Sequence, residues 1–238
     1  GFPRREAESE MTQEHCDLAL AIQRVTERVV LAMATEARRL TGSANLCLAG
    51  GVALNCVANG KLLRSGIVDR LWIQPAAGDA GGALGAALCA HHIGRGNPRA
   101  VGGGDAMRGS YLGPEPEEAQ IRRVVGRYRA AGRRFEDLGA LCARAAELLD
   151  DGRILGWVRG RMEWGPRALG GRSIVADPRN PEIQKKLNLK IKYRESFRPF
   201  APSVLAEECA SWFELDEPSP YMLLIADVQP ARRRPLPP

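Results

Sequence analysis

The chain has 238 residues, 45% of them hydrophobic and 26% charged, an ordinary globular balance with room for one large or two modest domains. Aromatic residues make up only 5%, which argues against a base-stacking platform for single-stranded nucleic acid. No apolar run is long enough to span a bilayer and the start has no secretory pattern, so a cytoplasmic protein with no membrane partner is expected.

The net charge of +6 is unevenly placed. Residues 159–198 hold eleven Lys and Arg against four Asp and Glu, so this one window carries more than the whole excess. A focused basic window points to an anionic ligand, with a solvated basic face as the alternative. The six cysteines are scattered without a C-x-x-C pair, which speaks against a disulfide framework or zinc knuckle and leaves reduced core residues.

Residues 1–10 are polar and expected to fray. From His15 the pattern turns helical, with Leu18, Ile22, Val25, Val29 and Met33 at helical spacing and Gly42 as C-cap. Residues 45–49 read as a short buried strand ending in Gly50-Gly51. The next helix begins at Val52–Asn55 and runs to Ser65-Gly66. Strand, glycine pair and helix together bring a ligand close to backbone N–H groups, although no P-loop signature is present. Residues 70–74 form a second predicted strand and Pro75–Asp79 its exit loop. A helix from Ala80 follows, whose Gly81, Gly82 and Gly85 suit close packing. Asp79 reads either as an N-cap or as a metal or ligand carboxylate, and chemistry alone favours the cap. The glycine-rich stretch 94–114 has no periodicity and marks a domain boundary, giving domains at 1–96 and 113–238 with a linker at 97–112.

The second half opens with a predicted helix over about 116–131 and another over 137–149, then a strand over 153–158. The segment Gly160–Ser173 is too rich in Gly, Pro and Arg for a core element and reads as a surface loop at a strand end. Arg159, Arg161, Arg167 and Arg172 lie in or beside it. Guanidinium groups are shaped to grip carboxylate or phosphate through paired hydrogen bonds, so this loop is read as the mouth of an anion-activating site. A strand at 173–176 and a helix capped by Asn180, with Ile183, Leu187 and Ile191 as its stripe, precede a second charged loop over 192–198. Residues 200–205 and 221–228 read as strands, and the tail from Gln229 as disordered.

Two blocks carry a resemblance. The first holds Ala49-Gly50-Gly51-Val52-Ala53-Leu54-Asn55 and Gly78-Asp79-Ala80-Gly81. The second holds Gly165-Pro166-Arg167-Ala168-Leu169-Gly170, Arg172-Ser173 and Phe197-Arg198-Pro199-Phe200-Ala201-Pro202-Ser203. In order and spacing they resemble the O-carbamoyltransferases of the nodulation-factor, cephamycin and tobramycin type. The resemblance implies an α/β chain. Its first domain would be the C-terminal part of an actin/Hsp70-like domain, similar to the universal tRNA threonylcarbamoyl-transfer protein. Its second would be a smaller α/β domain similar to the threonylcarbamoyl-adenylate synthase (YrdC-like). It also implies the reaction: carbamoyl phosphate and ATP give carbamoyl adenylate, and the carbamoyl group passes to a hydroxyl of a small-molecule acceptor beside a divalent metal ion, Fe or Mg. A homodimer is compatible with it.

Carried over residue by residue, the resemblance makes Arg167 and Arg172 grip phosphate or carbamoyl oxygens, with Lys192, Arg194 and Arg198 completing the pocket. Ser173 would donate to a phosphate, and Glu163 and Glu195 would orient the arginines. Gly50, Gly51 and Asn55 match nucleotide contacts, and Asp79 matches a metal ligand. The paired histidine ligands of the family have no counterpart, since His15 stands alone and His91 adjoins His92. A truncated chain with a nearly complete activation pocket and an incomplete transfer site is therefore expected. Two other readings compete: a tRNA threonylcarbamoyl-type modification enzyme, and a non-catalytic nucleic-acid-binding module with a steep salt dependence.

Overall fold

The computed structural model describes residues 4–234. The chain is of mixed α/β class and divides into two compact units. Unit 1 comprises Gly1–Gly104, Gly165–Arg167 and Ser203–Pro238; unit 2 comprises Asp105–Trp164 and Ala168–Pro202. No helix among the described residues is long and apolar enough to cross a membrane.

Unit 1 begins with α1 (Gln13–Thr41), entered through a capping box between Thr12 and His15 and closed by left-handed Gly42, whose N–H donates to Arg38 O at 2.8 Å. The predicted apolar stripe is real, but it faces outward: Leu18, Ile22, Val25, Val29 and Met33 are all exposed. The face that packs is the opposite one, where Glu27 and Ala34 are buried. The reason is local. Gln23 and Glu27 bond to Asn55 and Lys61, which fixes which side of α1 turns inward.

Strand β1 (Asn45–Leu48) and strand β2 (Arg70–Ile73) pair in parallel, Asn45 opposite Arg70 through Leu48 opposite Ile73. They are joined across α2 (Cys56–Arg64). Residues 51–54, expected to open that helix, form a separate 3-10 turn. Asn55 is the cap, its side chain accepting from Ala58 N at 3.0 Å. After β2, α3 (Asp79–Cys89) starts behind Gly78 and runs into a π-helical turn over Ala90–Gly94. A Cβ on Gly81 would lie 2.1 Å from Ala76 O, whereas Gly82 and Gly85 face open space, so close packing explains only the first of the three. The core of this unit gathers Ala58, Leu62, Ile73, Ala76, Tyr221 and Leu223.

The expected strands at 200–205 and 221–228 do not form; an isolated bridge joins Phe213 to Val228. The carbonyls of the second segment are taken by α2 side chains instead: Leu223 O accepts from Asn59 and Ile225 O from Arg64. The tail from Gln229, expected to be disordered, makes side-chain contacts as far as it is described. Arg232 stacks on Trp212 at 4.7 Å and Arg233 pairs with Glu214 at 3.0 Å, while residues 235–238 lie outside the described region. The cysteines are free, as expected, but none is buried: Cys16, Cys47, Cys89 and Cys142 are exposed, Cys56 and Cys209 partly so.

Unit 2 holds α4 (Glu118–Arg127) and α5 (Leu138–Asp150), the latter capped by Asp137, which accepts from Ala140 N at 2.8 Å. Strands β3 (Leu155–Val158) and β4 (Arg172–Val175) form an antiparallel pair with Val158 opposite Arg172. The arginine-rich stretch is thus the connection of a hairpin. Helix α6 (Ile183–Lys186) continues as a π-helical turn over Leu187–Lys192, burying Ile183 and Leu187.

Candidate anion and nucleotide sites

The hairpin connection is held by its own carboxylate. Glu163 accepts from Leu169 N and Gly171 N at 2.8 Å each and from Arg172 N at 3.2 Å. It therefore binds loop backbone; the sequence reading gave it the task of orienting guanidinium groups. Arg172 in turn donates to the carbonyls of Arg159 (2.9 Å), Gly160 (2.9 Å) and Gly171 (2.7 Å). Ser173 Oγ accepts from Gly170 N at 2.9 Å. The segment before Pro114 pairs with this loop: Trp164 N donates to Ser110 O (2.7 Å), Gly113 N to Met162 O (2.9 Å) and Met162 N to Pro114 O (2.9 Å). Tyr111 donates to Leu169 O at 3.3 Å. Burial, and then the charge of Glu163, push its phenol above the usual tyrosine range.

The second charged loop is organised by Asn188, which is fully buried. Its amide donates to Ser196 O (3.0 Å) and Arg198 O (2.8 Å), and its carbonyl oxygen accepts from Arg194 Nε at 2.5 Å. Arg194 also lies 4.7 Å from the centre of the Phe200 ring. Arg198 forms a loose pair with Glu195 at 3.5 Å, and Lys192 is exposed. Arg194, Glu195 and Arg198 are thus brought together in unit 2, as are Glu163, Arg172 and Ser173.

Arg167 belongs to unit 1. Its Nη2 donates to Leu54 O at 3.0 Å, while its Nε is buried and has no hydrogen-bond partner among the described residues. It thus shares unit 1 with Gly50, Gly51, Asn55 and Asp79, where the loops leaving the carboxyl ends of β1 and β2 meet: Gly50 N donates to Ala77 O at 2.8 Å. Ligands of parallel sheets bind at such strand ends. The Asn55 side chain is engaged by Gln23 at 2.9 Å as well as by the α2 cap. Asp79 is the first residue of α3. Among the described residues no three His, Cys, Asp or Glu side chains converge, at Asp79 or elsewhere. His15 is used in a capping box and His92 faces Asn97 O at 3.0 Å.

Sequence reasoning missed Tyr111 and Asn188. Tyr111 lies in the glycine-rich stretch read as linker, and nothing local marks its pairing. Asn188 carried a signal, a lone amide inside the apolar run from Ile183 to Ile191.

Comparison with known proteins gives two family matches, described as the carbamoyltransferase N-terminus over residues 3–88 and the carbamoyltransferase C-terminus over residues 146–238. An uncharacterized protein of Synechocystis is 56% identical over all of this chain and 39% of its own length. The nodulation protein NolO of Bradyrhizobium diazoefficiens is 41% identical over 93% of the chain and 40% of its own length. The nodulation protein NolNO of Sinorhizobium fredii is 43% identical over 93% and 32%. The chain therefore spans at most two fifths of these relatives.

Proposed function

Because the chain belongs to the carbamoyltransferase family, we propose that it contributes to an O-carbamoyltransferase that activates carbamoyl phosphate with ATP and passes the carbamoyl group to a hydroxyl of a small-molecule acceptor. In this reading unit 2 is the YrdC-like part, where water cleaves carbamoyl phosphate to carbamate and phosphate, and a carbamate oxygen then attacks the α-phosphorus of ATP to form carbamoyl adenylate with pyrophosphate leaving. Unit 1 belongs to an actin/Hsp70-like transferase domain, where the acceptor oxygen attacks the carbamoyl carbon and AMP leaves.

The residues of the chain supply charge and shape. Phosphoryl and adenylyl transfer build negative charge on equatorial oxygens, and donors fixed in advance stabilise it best. Arg172 has a guanidinium plane set by three carbonyls; Arg194 is set by Asn188 and Phe200. Arg198 and Lys192 stand on the same loop as Arg194 and add charge. Arg167 serves the nucleotide side of unit 1, with the backbone of Gly50 and Gly51. The observation that carries the reading is that seven of the eleven Lys and Arg of residues 159–198 stand on two loops whose backbones are pinned by Glu163 and Asn188.

Exchange of radiolabelled pyrophosphate into ATP, with and without carbamoyl phosphate, tests it in this chain and in a full-length relative. Exchange that depends on carbamoyl phosphate in both is expected. Exchange by the relative alone would overturn the placement of the activation site in this chain.

A further inference from the structure

The hairpin loop contains a device that the activity by itself does not explain. Three backbone N–H groups, those of Leu169, Gly171 and Arg172, point at one carboxylate, Glu163. Such a nest is built to take an anion, and here the chain fills it with its own side chain. Tyr111 closes the other side. Its hydroxyl donates to Leu169 O, and its ring lies so near Gly171 that a Cβ there would sit 2.5 Å from Cε1. The loop backbone is therefore held from both sides. It also presents the carbonyls of Arg159, Gly160 and Gly171 to Arg172. Three of the five N–H bonds of that guanidinium are used. The Nε–H and one Nη2–H have no partner among the described residues, which leaves two guanidinium donors for an oxyanion.

We infer that Tyr111 and Glu163 are positioning residues: they lock residues 169–172 so that the two unused N–H groups of Arg172 are preset to bind a phosphoryl oxyanion. The inference rests on the proposed function for the role of that oxyanion. The lock adds preorganisation, which lowers the ordering cost of binding. Glu163 acts only through the backbone and Tyr111 only through Leu169 and Gly171; neither touches the anion. The raised phenol of Tyr111 keeps its hydroxyl a donor across the physiological range.

The test uses the whole chain with inorganic pyrophosphate as probe, read by calorimetric titration, with amide hydrogen exchange at residues 169–172 and the melting temperature measured in parallel. The variants are Glu163→Gln, Tyr111→Phe and Arg172→Ala. Glu163→Gln and Tyr111→Phe are each expected to speed exchange at Leu169, Gly171 and Arg172 about tenfold and to raise the pyrophosphate Kd about tenfold, each the equivalent of one hydrogen bond. Tyr111→Phe keeps the ring, so its melting temperature should move by no more than about 2 °C while its Kd shifts. Arg172→Ala is expected to abolish binding. Faster exchange with an unchanged Kd would make the lock merely structural and overturn the inference. Pyrophosphate binding by the wild type that survives Arg172→Ala, or no binding by the wild type at all, would instead overturn the reading of the anion site, and the exchange data would still report whether the lock exists.

Discussion

At the scale of single residues, the two charged loops differ in what holds them. Asn188 is wholly buried and bonds two carbonyls and one guanidinium. Removing it takes one hydrogen bond each from Ser196 O, Arg198 O and Arg194 Nε, at about 0.5–1.5 kcal/mol apiece. Asn188→Ala should therefore lower the unfolding free energy of unit 2 by about 2–4 kcal/mol in urea titrations. Arg198 is the opposite case. Its pair with Glu195 spans 3.5 Å and both side chains are a third or more exposed, and such surface pairs contribute about 0–1 kcal/mol. Arg198→Ala should leave the urea midpoint nearly unchanged while reducing carbamoyl-phosphate-dependent exchange about tenfold, a loss of about 1.4 kcal/mol in transition-state binding. Equal activity in the variant would remove Arg198 from the site.

At the scale of elements, much was legible. The start and end of α1, the extent of α5 and the strands at β1, β2, β3 and β4 follow from periodicity, capping residues and glycine punctuation, because these act within a few residues of each other. What was not legible depends on partners distant in sequence. The stripe Leu18–Met33 is as good a core face as any on paper, yet the inward side of α1 is chosen by Gln23 and Glu27 meeting Asn55 and Lys61. The apolar run 221–228 has the composition of a strand, but carbonyls within it are satisfied by the side chains of Asn59 and Arg64, which lie far off in sequence. Arg167 and Arg172 are five residues apart, and no pattern in the sequence separates them into different units. Two predictions belong here. Ile22→Ser should change stability by no more than about 0.5 kcal/mol, whereas Ala34→Leu, on the buried face, should cost about 1–3 kcal/mol by overpacking; a reversed order in thermal melts would mean that the exposed face is the packed one in solution. Hydrogen bonds from Lys61 and then Gln23 hold the Glu27 carboxyl below its ordinary range. A depressed carboxylate contributes stability that is complete above its unfolded value of about 4.3 and is lost as the pH falls through the folded value. Glu27→Gln should flatten that acid limb of the unit 1 melting profile and leave the neutral region parallel to wild type.

At the scale of the whole molecule, the accessible surface is the informative quantity. It amounts to 17968 Å² for a chain of 25.9 kDa. A compact monomer of that mass exposes about 10,500 Å², and two separate units of half the mass about 13,000 Å² together. The unfolded chain would expose about 37,500 Å², so folding buries only about half of it where a compact protein of this size buries more than two thirds. The excess is partly apolar: the outer face of α1, Trp72 on β2, and Val158 beside the arginine loop are all exposed. Large apolar surfaces of this kind belong to interfaces. Because the urea m-value scales with the area exposed on unfolding, the isolated chain should give about 70% of the slope of a compact protein of equal length. It should also bind the dye ANS in its native state. A full-sized slope with no dye binding would mean that these faces are already covered in solution, and sedimentation would then have to find the chain self-associated.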